Sequence, residues 1–448
     1  NFTEHAVRSD ADHTGTINEA RIDFDRPLPA HASVVINVQY TVKIAHSSER
    51  LRPTGAPLQA ALRTDWDRIS PTFTAARGVG YVLWYPVALE PASLAEGNTV
   101  FESVSHWRAR EQDSDFVLNI EDGTRKAQKS YAPLGMSTPV LTGIYEPSLL
   151  RNSVAVVSDP SVSGALAFSN EAERFAEAWL PPRTVVAKIW GLPESGDVPF
   201  SSATETFASP TIDPQDAQSL SLYAVEHAAL KSNRPWIQEG YAAFLDVAWR
   251  EHSQGRDRAL SFLEERRGAL ALGEPEDANT AETSLINSSE ESRYRMKAIF
   301  VWWMLHDMLG DAAMQRAIKA YRADQDRSAD YLQKLLESQS HRDLSWFFND
   351  WVYRDRGLPE FTIASAVPRH TLNNDWITDV TVTNDGNAAA SVPVAVIAGE
   401  QQPTQRVQIG AHQKVLVSLK TSDKPTLARV NGAGVPETDI NDDQFEIK

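Results

Sequence analysis

The first third of the chain combines short apolar runs with alternating apolar and polar positions. Between Val34 and Ile44 every second residue is apolar, the period of two that a half-buried β-strand shows. Two further apolar runs, at 81–87 and 116–120, are bounded by Gly, Pro and Asp-Gly turn signals. We therefore predict an all-β domain over residues 1–143.

The apolar spacing becomes helical in the middle of the chain. Apart from a buried strand predicted at 185–190, apolar positions recur every three or four residues in four stretches, which begin at Leu220, Trp236, Tyr294 and Tyr331. Gly310 is placed to stop the third helix, and Ser328 to cap the fourth. An aromatic-rich helix is predicted at 343–351. These patterns predict a mostly helical domain over residues 144–358.

The last ninety residues return to the pattern of strands. Alternating valines and isoleucines precede and follow an Asn-Asp-Gly turn signal, at Val380, Val382, Val392, Val394, Val396, Val407 and Ile409. This pattern predicts a β-sandwich over residues 359–448. Taken together, the three segments predict a multidomain α+β protein.

Composition and charge disfavour or exclude several classes of binding partner and of covalent or metal chemistry for this chain. The 60 acidic residues exceed the 43 basic ones, which gives a net charge of -17 and disfavours nucleic acid and anionic lipid. No apolar run approaches the roughly 20 residues that cross a bilayer, so we expect no membrane span. There is no cysteine, which excludes disulfides and thiolate ligands. The chain starts at Asn1 and not at Met, which suggests either a processed protein or a trimmed chain, with a lost signal peptide or anchor as one explanation.

Three segments of the chain resemble aminopeptidase N-like zinc peptidases, the gluzincins. Trp236-Ile-Gln-Glu-Gly-Tyr-Ala242 matches their W-x-x-E-G-x-A segment, whose Glu is the third zinc ligand. Residues 297–305 resemble the helix that follows their active site, and 343–351 with Gly357-Leu-Pro359 resembles the end of their catalytic domain. The resemblance implies an N-terminal β domain, a thermolysin-like middle domain and a small immunoglobulin-like C-terminal domain. It also favours a secreted, periplasmic or cell-surface protein.

The zinc motif of that family, H-E-x-x-H, is incomplete in this sequence. In the motif two His on one helix face bind zinc, and the Glu between them is the general base. One alignment keeps Glu226 as the base and puts Val225 and Ala229 in the His positions. The other, which we prefer, keeps His227 as the second ligand and puts Tyr223 in place of the first His and Ala224 in place of the base. Either alignment leaves too few ligands for a catalytic zinc.

Two further elements of the family are only partly matched. Glu205 lies where a substrate-binding strand carries a Glu that clamps the peptide amine. Tyr294 is one residue from the position of the family's catalytic Tyr, so it is more readily explained as a core residue. Of the remaining candidates, we expect Glu226 to be solvated, and Glu239 to pair with His227 or with Arg234.

These observations lead to one leading hypothesis and two alternatives. The leading hypothesis is a non-catalytic pseudopeptidase that binds peptides or protein partners in its cleft. It has no catalytic and no metal-binding residues, and it carries a vestigial site at Tyr223, Glu226, His227, Glu239 and Tyr294. No cofactor is expected. The first alternative is an active, divergent zinc metallopeptidase in which His227 and Glu239 hold the metal with a ligand from elsewhere. The second is a structural cell-envelope protein.

Overall fold

The computed structural model describes the second half of the chain almost continuously. The ranges are 169–183, 187–191, 212–232, 234–273, 284–288 and 292–447. Before and between them it describes shorter stretches, at 2–8, 16–27, 67–69, 73–77, 116–122, 125–131, 140–144, 154–156, 200–202 and 205–208, and a few single residues between 29 and 40.

The chain divides into two compact units. One comprises residues 1–169 and 185–224, and the other comprises residues 170–184 and 225–448. This division is coarser than the three predicted domains and does not test their boundaries, which stay a prediction.

The described residues of the first unit are mostly in strands. The strands are β1 (Phe2–Arg8), β2 (Thr16–Ile22), β3 (Asp67–Ile69), β4 (Phe73–Arg77), β5 (Phe116–Asp122), β6 (Arg125–Tyr131), β7 (Val140–Ile144), β8 (Val154–Val156), β9 (Lys188–Gly191), β10 (Phe200–Ser202) and β11 (Glu205–Ala208). β1 pairs with β2 and β5 with β6, and β4 lies between β3 and β7. The fourth sheet has the order β10-β11-β9-β8, in which β9 and β11 run parallel.

These strands test the N-terminal predictions in part. The run at 116–120 is confirmed as β5, and the strand predicted at 185–190 is confirmed over β9. The run at 81–87 and most of the strand predicted from Val34 to Ile44 lie outside the described residues. The described positions Val34 and Val38 are exposed and lie outside any strand.

Eight α-helices are described. They are α1 (Asn170–Trp179), α2 (Pro214–Ala229), α3 (Pro235–Gln254), α4 (Arg256–Gly273), α5 (Ala298–Leu309), α6 (Asp311–Ala320), α7 (Tyr331–Ser340) and α8 (Ser345–Phe348). The boundary between the two units falls within α2, after Ala224. One π-helical segment, Ser292–Lys297, leads into α5, and another, Asn349–Tyr353, follows α8. None of the described helices combines the length and apolar character that crossing a bilayer requires.

Large aromatic side chains fill the core between α3 and α5. Trp236 stacks on Trp302 with ring centroids 5.4 Å apart, and Tyr241 meets Trp302 edge-on at 4.9 Å. The two helices approach closely at Gly240, where a Cβ atom would lie 2.4 Å from the Cβ of Ala298. A side chain at position 240 would therefore force α3 away from α5.

The helix ends test two sequence predictions. Gly310 ends α5 with a φ of 75°, a backbone conformation that favours glycine, so the predicted stop is confirmed. The predicted cap of the fourth helix was wrong, because α7 begins after Asp330 and not after Ser328. The hydroxyl of Ser328 donates instead to Asp330 Oδ1 over 2.7 Å.

Two antiparallel sheets form the C-terminal part. Their strands are β12 (Phe361–His370), β13 (Trp376–Asn384), β14 (Ala390–Ile397), β15 (Thr404–Ile409), β16 (Gln413–Thr421), β17 (Leu427–Val430) and β18 (Gln444–Glu446). One sheet has the order β12-β13-β16 and the other β15-β14-β17-β18. Alternate residues face a shared apolar core, including Val380, Val382, Val392, Val394 and Val417. Strand pairs from the two sheets contact each other, so the two sheets pack together.

Candidate functional site

The candidate site lies where the end of α2 meets the start of α3. α2 carries Glu226 and His227 in its last turn, and α3 carries Gln238 and Glu239 as its fourth and fifth residues. α3 begins at Pro235, whose fixed φ suits the first helical position. The short connection between the helices brings residues twelve apart in the chain to hydrogen-bonding distance.

His227 contacts a carboxylate through each of its two ring nitrogens. Its Nδ1 lies 2.8 Å from Oε2 of Glu226, and its Nε2 lies 3.0 Å from Oε1 of Glu239. His227 and Glu226 are buried, while the side chain of Glu239 retains 13% of its exposure. We call Glu226, His227 and Glu239 the carboxylate–histidine cluster. The expected pair of Glu239 with His227 is confirmed.

The amide of Gln238 is a second hydrogen-bond partner of Glu226 besides His227. Its Nε2 donates to both carboxylate oxygens, over 3.2 Å and 3.0 Å, and to the carbonyl oxygen of Leu230. Its Oε1 accepts from the backbone N–H of Ser232 over 3.0 Å. The prediction that Glu226 is solvated was wrong, because α3 covers this carboxylate and leaves it no exposed surface.

The two carboxylates determine the protonation of His227. Burial by itself lowers the pKa of the imidazole, but Glu226 and Glu239 outweigh it and raise the pKa to about 10. His227 is therefore an imidazolium at neutral pH, and each N–H donates to one carboxylate. Burial raises the pKa of Glu226, and its contact with His227 offsets this only in part.

This donor set does not fit a catalytic zinc. Such a zinc takes three protein ligands besides its water, and a ligating imidazole must be unprotonated at the nitrogen that binds the metal. In the cluster both nitrogens of His227 already donate to carboxylates. Within the part of the chain that the structure describes, no three His, Asp or Glu side chains are arranged to hold a metal ion.

The other predicted site residues lie on three different elements of the described structure. Tyr223 is half-buried on α2, one turn before His227. Tyr294 is buried in the π-helical segment before α5, as predicted for a core residue. Glu205 begins β11, where it pairs with Ser202 and Lys188, and its side chain is outside the described part of the structure.

A second polar network, which the sequence analysis missed, lies beside the cluster. The guanidinium of Arg234 donates to both oxygens of Asp326 over 2.9 Å. The hydroxyl of Tyr321 donates to Asp326 over 2.6 Å and lies 2.8 Å from the hydroxyl of Ser232. These partners are about ninety residues apart in the chain, and no local signal indicates their contact.

Comparison with known proteins finds distant structural neighbours. No protein-family model matches the chain, and no curated protein matches it in sequence. Aminopeptidase A from Legionella pneumophila, solved with aspartic acid, is similar over 70% of this chain and 36% of its own, at 13% identity and a TM-score of 0.42. The M1 zinc metallopeptidase from Deinococcus radiodurans is similar over 56% of this chain and 62% of its own, at 13% identity and a TM-score of 0.37.

The extent of these matches limits what they imply. The chain spans less than two thirds of the length of either neighbour. At TM-scores below 0.5 the likeness is distant, and it assigns neither an activity nor a ligand to this chain.

Proposed function

We propose that this chain is a non-catalytic, peptidase-like protein that acts by binding peptides or protein partners. The observation that carries the proposal is the engagement of both ring nitrogens of His227 by carboxylates. A histidine whose two ring N–H groups both donate to carboxylates balances the charge of the buried cluster. It has no lone pair with which to bind a metal. In this proposal the chain has the scaffold of aminopeptidase N-like peptidases, which its segments 236–242, 297–305 and 343–351 resemble.

The general base is also absent in this proposal. Glu226 is the only carboxylate next to His227 in the chain, and it has no exposed surface on which to meet a water or a substrate. A missing general base by itself removes about 10²–10⁴-fold of catalysis. We therefore expect no peptide hydrolysis above the uncatalysed rate.

The test combines metal analysis, digestion and binding. The purified chain is supplemented with zinc, dialysed and analysed for metal, and is then incubated with a diverse peptide library with and without chelator. The same library is passed over the immobilised chain, and retained peptides are sequenced. The proposal predicts less than 0.1 zinc per chain, no cleavage and a recurring pattern among retained peptides. Cleavage that chelator abolishes would overturn it, and so would retention without any recurring pattern.

One contact favours the alternative of a divergent metallopeptidase. A metal-ligating histidine commonly donates its other ring N–H to a carboxylate, and Glu226 is placed to accept such a bond from Nδ1 of His227. A metal would then have to replace the proton between Nε2 and Glu239, and a third ligand would have to come from elsewhere. One zinc per chain that is lost in His227→Leu would establish this alternative.

A further inference from the structure

A second buried histidine lies in a cavity at the far ends of α3 and α5. The cavity has a volume of about 380 Å³, and Phe175, Trp179, Glu251, Arg256, His306 and Asp311 are among its lining residues. This volume lies within the range of sites for small molecules. We call this cavity the His306 pocket.

One ring nitrogen of His306 has a hydrogen-bond partner and the other has none. Nε2 lies 2.6 Å from Oδ1 of Asp311, which as a carboxylate can only accept, so this nitrogen carries the proton. In the neutral imidazole Nδ1 is then an acceptor. It is buried and makes no hydrogen bond within the described part of the chain. A buried acceptor left in this state is costly unless a donor reaches it.

The carboxylate of Glu251 faces the same nitrogen across a gap. Its Oε2 lies 3.7 Å from Nδ1 of His306, beyond hydrogen-bonding distance. Its Oε1 is held at 3.0 Å by the guanidinium of Arg256, which fixes the orientation of the carboxylate. A nitrogen with two N–H groups, placed about 2.9 Å from each atom, would bond to both acceptors at ordinary distances.

The walls of the pocket suit the rest of such a ligand. Three carboxylates line it, of Glu251, Asp307 and Asp311, against the one guanidinium of Arg256. Arg256 and Arg406 both pair with Asp307, whereas the carboxylates of Glu251 and Asp311 lie within 4 Å of the ring nitrogens of His306. Phe175 and Trp179 add apolar aromatic side chains to the lining, which suit the alkyl part of such a ligand.

We propose that the His306 pocket binds a primary alkylammonium group, whose N–H donors bridge Nδ1 of His306 and Oε2 of Glu251. Such a group occurs on small free amines and on lysine side chains. The proposal concerns residues outside the carboxylate–histidine cluster and stands whether or not the chain is a peptidase.

The experiment is a ligand-observed NMR titration of the full chain. The probes are n-butylammonium, for a free amine, and acetyl-Gly-Lys-Gly-amide, for a lysine side chain. Tetramethylammonium keeps the charge without an N–H donor, and n-butanol keeps the chain without the charge. We expect saturable one-to-one binding of at least one of the two ammonium probes, and at least tenfold weaker binding of both controls.

Two variants locate the binding. Glu251→Gln removes the charge but keeps the shape, and it is expected to weaken binding of the ammonium probe about tenfold or more. Glu264→Gln removes a carboxylate that also pairs with an arginine, Arg267, outside this pocket, and should leave binding unchanged. Equal binding of tetramethylammonium, absence of saturation, or an equal response of the two variants would overturn the proposal.

Discussion

His227 and His306 are two buried histidines with carboxylates beside both ring nitrogens, but only one set of contacts is complete. At His227 the two distances are 2.8 Å and 3.0 Å, and both carboxylates bond. At His306 they are 2.6 Å and 3.7 Å, so the second carboxylate stops short of a hydrogen bond, and a cavity lies beside it. The same residue types thus make an ion cluster in one place and a candidate binding site in the other.

The difference lies in what surrounds the carboxylates. Gln238 covers Glu226 and holds both of its oxygens, so the first cluster is satisfied from within the protein. Asp311 is 65% exposed and Glu251 is 24% exposed, so solvent or a ligand can reach the second. The difference between the two histidines is therefore whether their carboxylate partners are themselves covered and hydrogen-bonded by other groups of the protein.

The largest expected effect comes from removing the imidazolium of the carboxylate–histidine cluster. His227→Leu leaves the buried carboxylate of Glu226 without its cation, which should lower the free energy of unfolding by about 3–5 kcal/mol. Urea denaturation at pH 7 measures the loss. The triple variant Glu226→Gln, His227→Leu, Glu239→Gln leaves no charge buried and should recover most of it. A loss below about 1 kcal/mol in His227→Leu would show that the cluster is not an ion pair.

The pH dependence of stability tests the protonation of the same histidine. The pKa of His227 is raised to about 10 in the folded chain, from about 6.5 when unfolded. Its contribution is therefore complete below about pH 6.5 and is lost as the pH rises to about 10, by up to about 1.4 kcal/mol per pH unit. The raised pKa of Glu226 acts in the same direction. Urea titrations between pH 6.5 and 9.5 should show this slope in the wild type and not in the triple variant.

A smaller effect should follow from separating α3 from α5 beside Glu239. In Gly240→Ala the new Cβ would lie 2.4 Å from that of Ala298, so the helices must move apart, at a cost of about 1–3 kcal/mol. Combining it with Ala298→Gly removes the overlap and should restore part of the loss. Thermal unfolding of the single and double variants makes the comparison. If the effects of the two substitutions on stability are simply additive, the close contact between positions 240 and 298 does not determine where α3 lies.

The smallest effect on stability is expected at the second histidine. His306→Leu keeps the apolar packing against Trp179 and removes one hydrogen bond to the exposed Asp311, which should cost about 1 kcal/mol or less. The same urea measurement as for His227→Leu gives the direct contrast between the two histidines. An equal loss of unfolding free energy in His227→Leu and His306→Leu would contradict the distinction between the complete contacts of His227 and the incomplete contacts of His306.

Part of the fold and of the site was predictable from local patterns. The helical period of apolar residues predicted α3 and α5, Gly310 predicted the end of α5, and valine alternation predicted the C-terminal strands. The need of a buried carboxylate for a partner limited the expected partners of Glu239 to His227 and Arg234, and the structure shows the contact with His227. Each of these signals operates within one element or across one short connection.

Contacts between distant segments were not predictable in this way. Glu226 and His227 are neighbours on α2 and differ by about 100° of rotation, so the helix alone would expose one of them. Packing of α3 buried both, and Gln238 made the burial of Glu226 tolerable. Likewise Arg234 could not be assigned to Asp326, ninety-two residues later, before the helices were in place.

By itself, the sequence determined the helical period of α3 and α5, the alternation of the C-terminal strands, the absence of cysteine chemistry and the absence of an H-E-x-x-H motif. Only the tertiary structure decided that His227 is held from both sides and that His306 retains an unbonded nitrogen beside a cavity. The physical reason is that periodicity and turn signals act over a few residues. The charge and the hydrogen bonding of a buried side chain depend on groups that reach it from other elements.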